Sequence, residues 1–238
     1  MDGWAQVRHR RMAEDTMYDD TWLVVPLYNE GEVIGQVISD ALPTFPRIVC
    51  IDDGSTDNSG AEATAAGAIV VTHPINLGQG AAIQTGFEFA LRQPETRYVV
   101  TFDSDGQHRV EDAAAMVDLL RADAADVVFG SRFLDGRTNP GRLKKLVLKT
   151  AIAFSNATTG VHLTDTHNGL RAINRRAAAT LSIKQNRMAH ASEIVEQVGK
   201  AGLRYVEHPV HILYTDYSRK KGQSVLNSVN ILTELLYK

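Results

Sequence analysis

With one cysteine in 238 residues, the chain can form no internal disulfide. Cys50 lies in the apolar run RIVCID, where a thiol acts as a small buried hydrophobe, in keeping with a reducing compartment. No run approaches the roughly 18 apolar residues that a membrane-spanning helix needs. The opening MDGWAQVRHRRMAEDTMYDD is polar and charged, without the apolar core of a signal peptide, so the expected location is the cytoplasm. Positive charge is not in excess either. Lys and Arg number 25 against 28 Asp and Glu, a net charge of -3 that argues against a general nucleic-acid binder and leaves room only for local basic patches. There is no internal repeat, linker or low-complexity tract. What is present, 44% hydrophobic and 22% charged residues, suffices for a single soluble domain with a full core.

The first half of the chain alternates. TWLVVPL, RIVCID, GAIVVTH, RYVVTFD and ADVVFG are short β-rich runs, and between them lie stretches of helical spacing such as EGEVIGQVISDAL, GAAIQTGFEFALRQ and VEDAAAMVDLLRAD. A βαβ series with right-handed crossovers predicts an α/β fold, a mostly parallel sheet with helices on both faces. The pattern breaks near residue 135 at the loop LDGRTNPGR, followed by a basic helix candidate over 143–158 and a less regular half that completes the same domain. The expected layout is a mobile tail over 1–20, a domain over 21–224 and an amphipathic helix over 225–238.

The run VVTFDSDGQH stops at two aspartates two positions apart, which places Asp103 and Asp105 on a loop at the carboxyl end of a strand, where open α/β sheets bind ligands. A calcium loop counted from Asp103 needs a carboxylate at its twelfth position and finds Ala114. Three readings stay open: a haloacid-dehalogenase-type phosphatase with Asp103 as nucleophile, a solvated acidic loop, and a hard divalent ion that also holds a diphosphate, with Gln107 as a further oxygen ligand. His190, His208 and His211 have no coherent metal spacing and read as ordinary histidines.

The ordered set VVPLYNE, IDDGSTDNS, NLGQGAAIQTG, DSDGQH, GSR, DTHNGLRAINRRA and RKKGQS resembles the family 2 glycosyltransferases of the GT-A fold over about residues 21–225, and within them the dolichol-phosphate mannosyltransferase and polyprenyl-phosphate glycosyltransferase branch. The resemblance implies that Pro26, Tyr28, Glu30 and Asp53 line a nucleotide pocket, Asp53 against the base, and that Gly78 and Gly80 let backbone approach the donor. Asp103, Ser104, Asp105 and Gln107 then match a metal and sugar-nucleotide motif for Mg²⁺ or Mn²⁺, with Asp103, Asp105 and Gln107 as ligands. Arg132, Arg219 and Ser224 match phosphate-binding positions, and Asp165 and Arg171 match positions near the acceptor, Asp165 as base or orienter. Asp57 and Ser59 are plain helix-capping types, and Glu193 resembles a late acid of the family. The chain departs from the family at Gln79, where a lysine is frequent, and at Val225, where a lysine commonly follows the serine, which shifts phosphate binding there to Lys220 or Lys221.

On this likeness the expected reaction is inverting transfer of a sugar from a UDP- or GDP-linked donor to a polyprenyl phosphate. The alternatives are a soluble or glycan acceptor, or an idle nucleotide-sugar-binding subunit of a membrane complex. Lys144, Lys145 and Lys149 flank Leu148 and Ile152 on one helical wheel, and Val225, Val229, Leu232 and Leu236 share a face of another. These faces predict peripheral contact with the cytoplasmic side of a membrane, or with a small membrane protein.

Overall fold

A computed structural model describes residues 17–134, 161–187 and 189–213. The five strands read from the sequence all form: β1 (Thr21–Leu27), β2 (Arg47–Asp52), β3 (Ile69–Thr72), β4 (Tyr98–Thr101) and β5 (Val127–Ser131). The less regular half adds β6 (Arg171–Asn174) and β7 (Tyr205–Pro209). They make one seven-stranded sheet in the order β3-β2-β1-β4-β6-β5-β7. All neighbours run parallel except β6, which is antiparallel to β4 on one side and β5 on the other. The expected α/β, mostly parallel sheet of a single GT-A domain is what the chain builds.

Among the described residues six helices cover the two faces: α1 (Ile34–Ala41), α2 (Ser59–Ala65), α3 (Gln79–Leu91), α4 (Val110–Arg121), α5 (Arg175–Thr180) and α6 (His190–Lys200). The pleat divides the strand side chains between two cores. Leu23, Val25 and Leu27 of β1 pack with α1 and α4, while Trp22 and Val24 pack with α3, α5 and α6. Every residue of β1 is buried, which is why it reads as a continuous apolar run rather than an alternation. Cys50 is fully buried in the first core, where desolvation pushes its thiol up to about 12.

Helix α3 lies close on β1 because Gly86 faces Val24: an added methyl would stand 2.1 Å from Val24 Cγ1. Gly86→Ala should therefore destabilise the fold, since overpacking of about 1–3 kcal/mol against a strand with no room to shift outweighs a helix-propensity gain of about 1 kcal/mol. A lower midpoint of urea unfolding checks this.

Residues 17–20 of the expected tail belong to the domain instead. Tyr18 is buried, its ring 5.0 Å from that of Phe45, and its hydroxyl donates to Asp118 Oδ1 at 3.0 Å. An aromatic ring in a polar opening segment was the overlooked signal. The basic helix candidate at 143–158, the boundary at 224 and the final helix at 225–238 lie outside the described residues. Among the described residues no helix is long and apolar enough to cross a membrane.

Candidate active site

Parallel strands deliver their carboxyl ends to one edge of the sheet, and there the loops after β1, β2 and β4 enclose a cleft of about 510 Å³. Its walls include Pro26, Tyr28, Glu30, Asp53, Asp103, Ser104 and Asp105, with Asn76, Gly78 and Gln79 closing one side. Seven of the residues expected at a donor site thus come together from three separate loops.

Asp53 ties two of those loops. Its carboxylate accepts from the N–H groups of Leu77 (2.9 Å) and Gly78 (2.7 Å) and pairs with His73 Nδ1 at 2.7 Å, while His73 Nε2 meets Thr85 Oγ1 at 3.0 Å. A carboxylate has about four lone-pair sites, so roughly one is left to accept from a ligand in the cleft. Glu30 is held from its backbone, whose N–H donates to Ser59 Oγ at 2.8 Å. Asp57 accepts from the N–H groups of Gly31 (3.1 Å) and Ser59 (3.0 Å) and from the Ser59 hydroxyl, the local capping role expected of it.

The acidic loop is polarised. Asp103 Oδ2 pairs with His108 Nε2 at 2.9 Å, and Asp103 Oδ1 accepts from Gln79 Nε2 at 3.2 Å. Burial would raise the Asp103 carboxyl, but the facing His108, Arg171 and His190 outweigh it and hold Asp103 below the usual carboxylate range. Asp105 has no such set. Burial first, then the charge of Asp103, pushes it up to about 6, against the hydrogen bond from the Gln107 N–H at 3.0 Å. The surplus negative charge suits a hard divalent cation, and two protein carboxylates with the remaining ligands drawn from phosphate and water are a usual magnesium donor set. Among the described residues no group of three or more His, Cys, Asp and Glu side chains is placed to hold a metal by itself. Gln107, expected as a ligand, contributes its backbone: its N–H holds Asp105, its carbonyl accepts from the Leu213 N–H at 2.9 Å, and it is not among the residues lining the cleft.

Beside the acidic loop, strand β6 begins at Arg171, paired in register with Thr101 of β4. Arg171 is 1% exposed, its Nε and Nη1 have no hydrogen-bond partner among the described residues, and desolvation lowers it to about 10 although Asp103 and Asp165 favour its charge. Gly169 makes this proximity feasible, because a Cβ there would lie 2.3 Å from Asp103 Oδ2. Asp165 is 2% exposed and engages Arg132 through both oxygens, Nε to Oδ2 at 2.6 Å and Nη2 to Oδ1 at 2.8 Å. Asp165, Arg132 and Arg171 are therefore brought together, with the Asp165 carboxylate committed to a bidentate pair.

Gly80 falls elsewhere than expected. It does not line the cleft, and a Cβ on it would stand 2.0 Å from the Gln185 carbonyl oxygen, so the backbone it admits is the protein's own. Gly78 does line the cleft at φ 101°, a conformation natural to glycine. Glu193 caps the neighbouring loop by accepting from the N–H groups of Lys184 (3.0 Å) and Gln185 (2.8 Å). Arg219 and Ser224, with Lys220, Lys221 and Val225, lie outside the described residues. Sequence reasoning missed His73, His108, Gly169 and Arg187, the last of which lines the cleft.

Residues 22–181 match the family described as Glycosyl transferase family 2. The chain is 28% identical over 251 residues to the UDP-N-acetylglucosamine--dolichyl-phosphate N-acetylglucosaminyltransferase of Methanococcus voltae, covering 94% of this chain and 96% of that protein. It is 29% identical over 224 residues to the polyprenol monophosphomannose synthase of Mycolicibacterium smegmatis, covering 89% of this chain and 82% of that protein. The fold is similar to the crystal structure of glucosyl-3-phosphoglycerate synthase from Mycobacterium tuberculosis in complex with Mn²⁺ and uridine-diphosphate-glucose, with a TM-score of 0.69 at 19% identity over all of this chain and 84% of that one. Family, fold and the placement of the acidic pair agree: the chain belongs to glycosyl transferase family 2.

Proposed function

We propose that this protein is an inverting glycosyltransferase that moves one sugar from a nucleotide diphosphate sugar to a polyprenyl phosphate, as a peripheral enzyme at the cytoplasmic face of a membrane. The observation that carries this reading is the charge arrangement: a carboxylate pair at the end of β4 facing a cleft of nucleotide-sugar size, with Arg171 between Asp103 and Asp165, and Arg132 paired to Asp165. The relatives named for dolichyl-phosphate and polyprenol-phosphate substrates support a lipid phosphate as acceptor.

The chemistry follows from charge. A phosphate monoester has a second pKa of about 6, so at neutral pH it is largely a dianion and attacks without a general base. An acceptor oxygen would bond to the anomeric carbon from the face opposite the leaving group while the bond to the donor phosphate breaks, and the electron pair leaves with the nucleoside diphosphate. Mg²⁺ or Mn²⁺ held by Asp103 and Asp105 would supply neutralisation of that leaving group. Arg132 and Arg171 offset the acceptor charge. Asp165 fixes the plane of the Arg132 guanidinium, a role in aim rather than in proton transfer. Pro26, Tyr28, Glu30, Asp53 and Ser104 shape the donor side.

The test mixes purified protein, polyprenyl phosphate and Mn²⁺ with labelled UDP- and GDP-sugars and counts label in the organic phase. Donor-specific, chelator-sensitive transfer is expected. Label that enters only a soluble or glycan acceptor, or a donor that binds without any transfer, would replace the lipid-phosphate reading.

A further inference from the structure

Among the described residues the cleft is lined by four acidic side chains, Glu30, Asp53, Asp103 and Asp105, and by one cation, Arg187. A diphosphate entering such a site meets net repulsion unless cations face it, and a single divalent ion leaves part of that charge uncompensated.

Arg187 is placed rather than adrift. Its carbonyl accepts two hydrogen bonds from the first residue of α6, from the His190 N–H at 3.0 Å and from His190 Nδ1 at 2.7 Å. His190 is buried, and desolvation, then Arg171, lowers its imidazole to about 4, so the ring stays neutral and its Nδ1–H can serve as that donor. The two preceding residues are sewn to the start of α3: the Gly80 N–H donates to the Asn186 carbonyl at 2.9 Å, and a Cβ on Gly78 or Gly80 would run into the carbonyl of Asn186 or Gln185. The Arg187 stem crosses Gly78, with its Cγ 3.4 Å from where a Cβ would stand. Its backbone and stem are thus fixed against the cleft wall, while its guanidinium has no hydrogen bond or ion pair among the described residues.

We propose that Arg187 is a phosphate-binding residue of the donor site, taking the diphosphate of the nucleotide sugar from the Gly78 wall while Asp103 and Asp105 approach from the β4 wall. This rests on the donor reading above. A planar guanidinium can hold two phosphate oxygens at once, which keeps the leaving group aligned in a way that a point charge does not. The glycines at 78 and 80 then matter for a reason distinct from their own approach to the donor: they admit the strap that carries Arg187.

The test is calorimetric titration of UDP and of GDP, each with Mg²⁺, into the full chain as wild type, Arg187→Ala and Arg187→Lys. Whichever nucleotide the wild type binds should bind Arg187→Ala roughly tenfold to a hundredfold more weakly, with Arg187→Lys between. The thermal midpoint should not move, because the guanidinium bonds to none of the described residues. Equal affinity in Arg187→Ala, or a loss of affinity accompanied by a fall in thermal midpoint, overturns the assignment and leaves the donor reading standing. Failure of the wild type to bind either nucleotide overturns both.

Discussion

Asp105→Asn should reduce sugar transfer by at least about a thousandfold, a loss of about 4 kcal/mol of transition-state stabilisation, and yet make the metal-free protein more stable at neutral pH. The two effects share one cause. In the absence of a cation the Asp105 carboxylate is opposed by desolvation and by Asp103, which lift it from the ordinary aspartate range to about 6. A carboxyl raised on folding contributes stability that is complete below its unfolded value and is lost as pH climbs through the folded one. The metal-free wild type should therefore lose up to about 3 kcal/mol from this group between about pH 4 and pH 7. Asparagine does not ionise, so the variant should lack this part of the slope. Unfolding at pH 4.5 and pH 7.5, with and without Mn²⁺, checks it: the metal should raise the midpoint of the wild type at the higher pH and leave that of the variant nearly unchanged. A variant that is destabilised at pH 7.5 would mean that Asp105 serves the fold.

Asp165→Ala is expected to cost about 3–5 kcal/mol of stability, the usual penalty for removing one member of a buried ion pair. Asp165 is 2% exposed, holds Arg132 through two bonds and also accepts from the Arg132 N–H at 3.1 Å. Its removal strips a counter-charge from Arg171, which is already buried with two unbonded nitrogen atoms. Denaturant unfolding gives the magnitude, and Asp165→Asn separates the roles. An orienting carboxylate predicts that the amide loses both stability and activity, because it cannot accept both guanidinium bonds. A catalytic base predicts lost activity at unchanged stability.

The sheet was legible to the extent that local pattern encodes it. Strands β1, β2, β4 and β5 are buried on both faces and announce themselves as apolar runs, and the acidic pair is visible because two aspartates end such a run abruptly. Strand β6 is the counterexample: its sequence RAIN opens on an arginine, and only the placement of Asp103 and Asp165 beside it makes burying that charge tolerable. The supporting residues of the site were hidden for the same reason. His73 is 20 positions from Asp53, Gly169 is remote in sequence from Asp103, and Arg187 is aimed by contacts with Gly78. Spacing along a chain does not report such neighbours. Gly80 misled because a glycine beside a cleft looks alike whether it makes room for a ligand or for a distant loop.

The antiparallel β6 also sets an order of assembly. Strands β1 to β4 occupy residues 21–101 and pair among themselves, with β6 as the one later strand that joins them at β4, whereas β5 touches β6 and β7 but never β4. As the chain leaves the ribosome, the first half of the sheet can form early. Its β4 edge must then wait, unpaired, through some seventy further residues until Arg171–Asn174 arrives to close it. An open strand edge of this kind invites pairing with another chain. Slow or interrupted synthesis between residues 101 and 171 is thus the interval in which this protein is most exposed to aggregation.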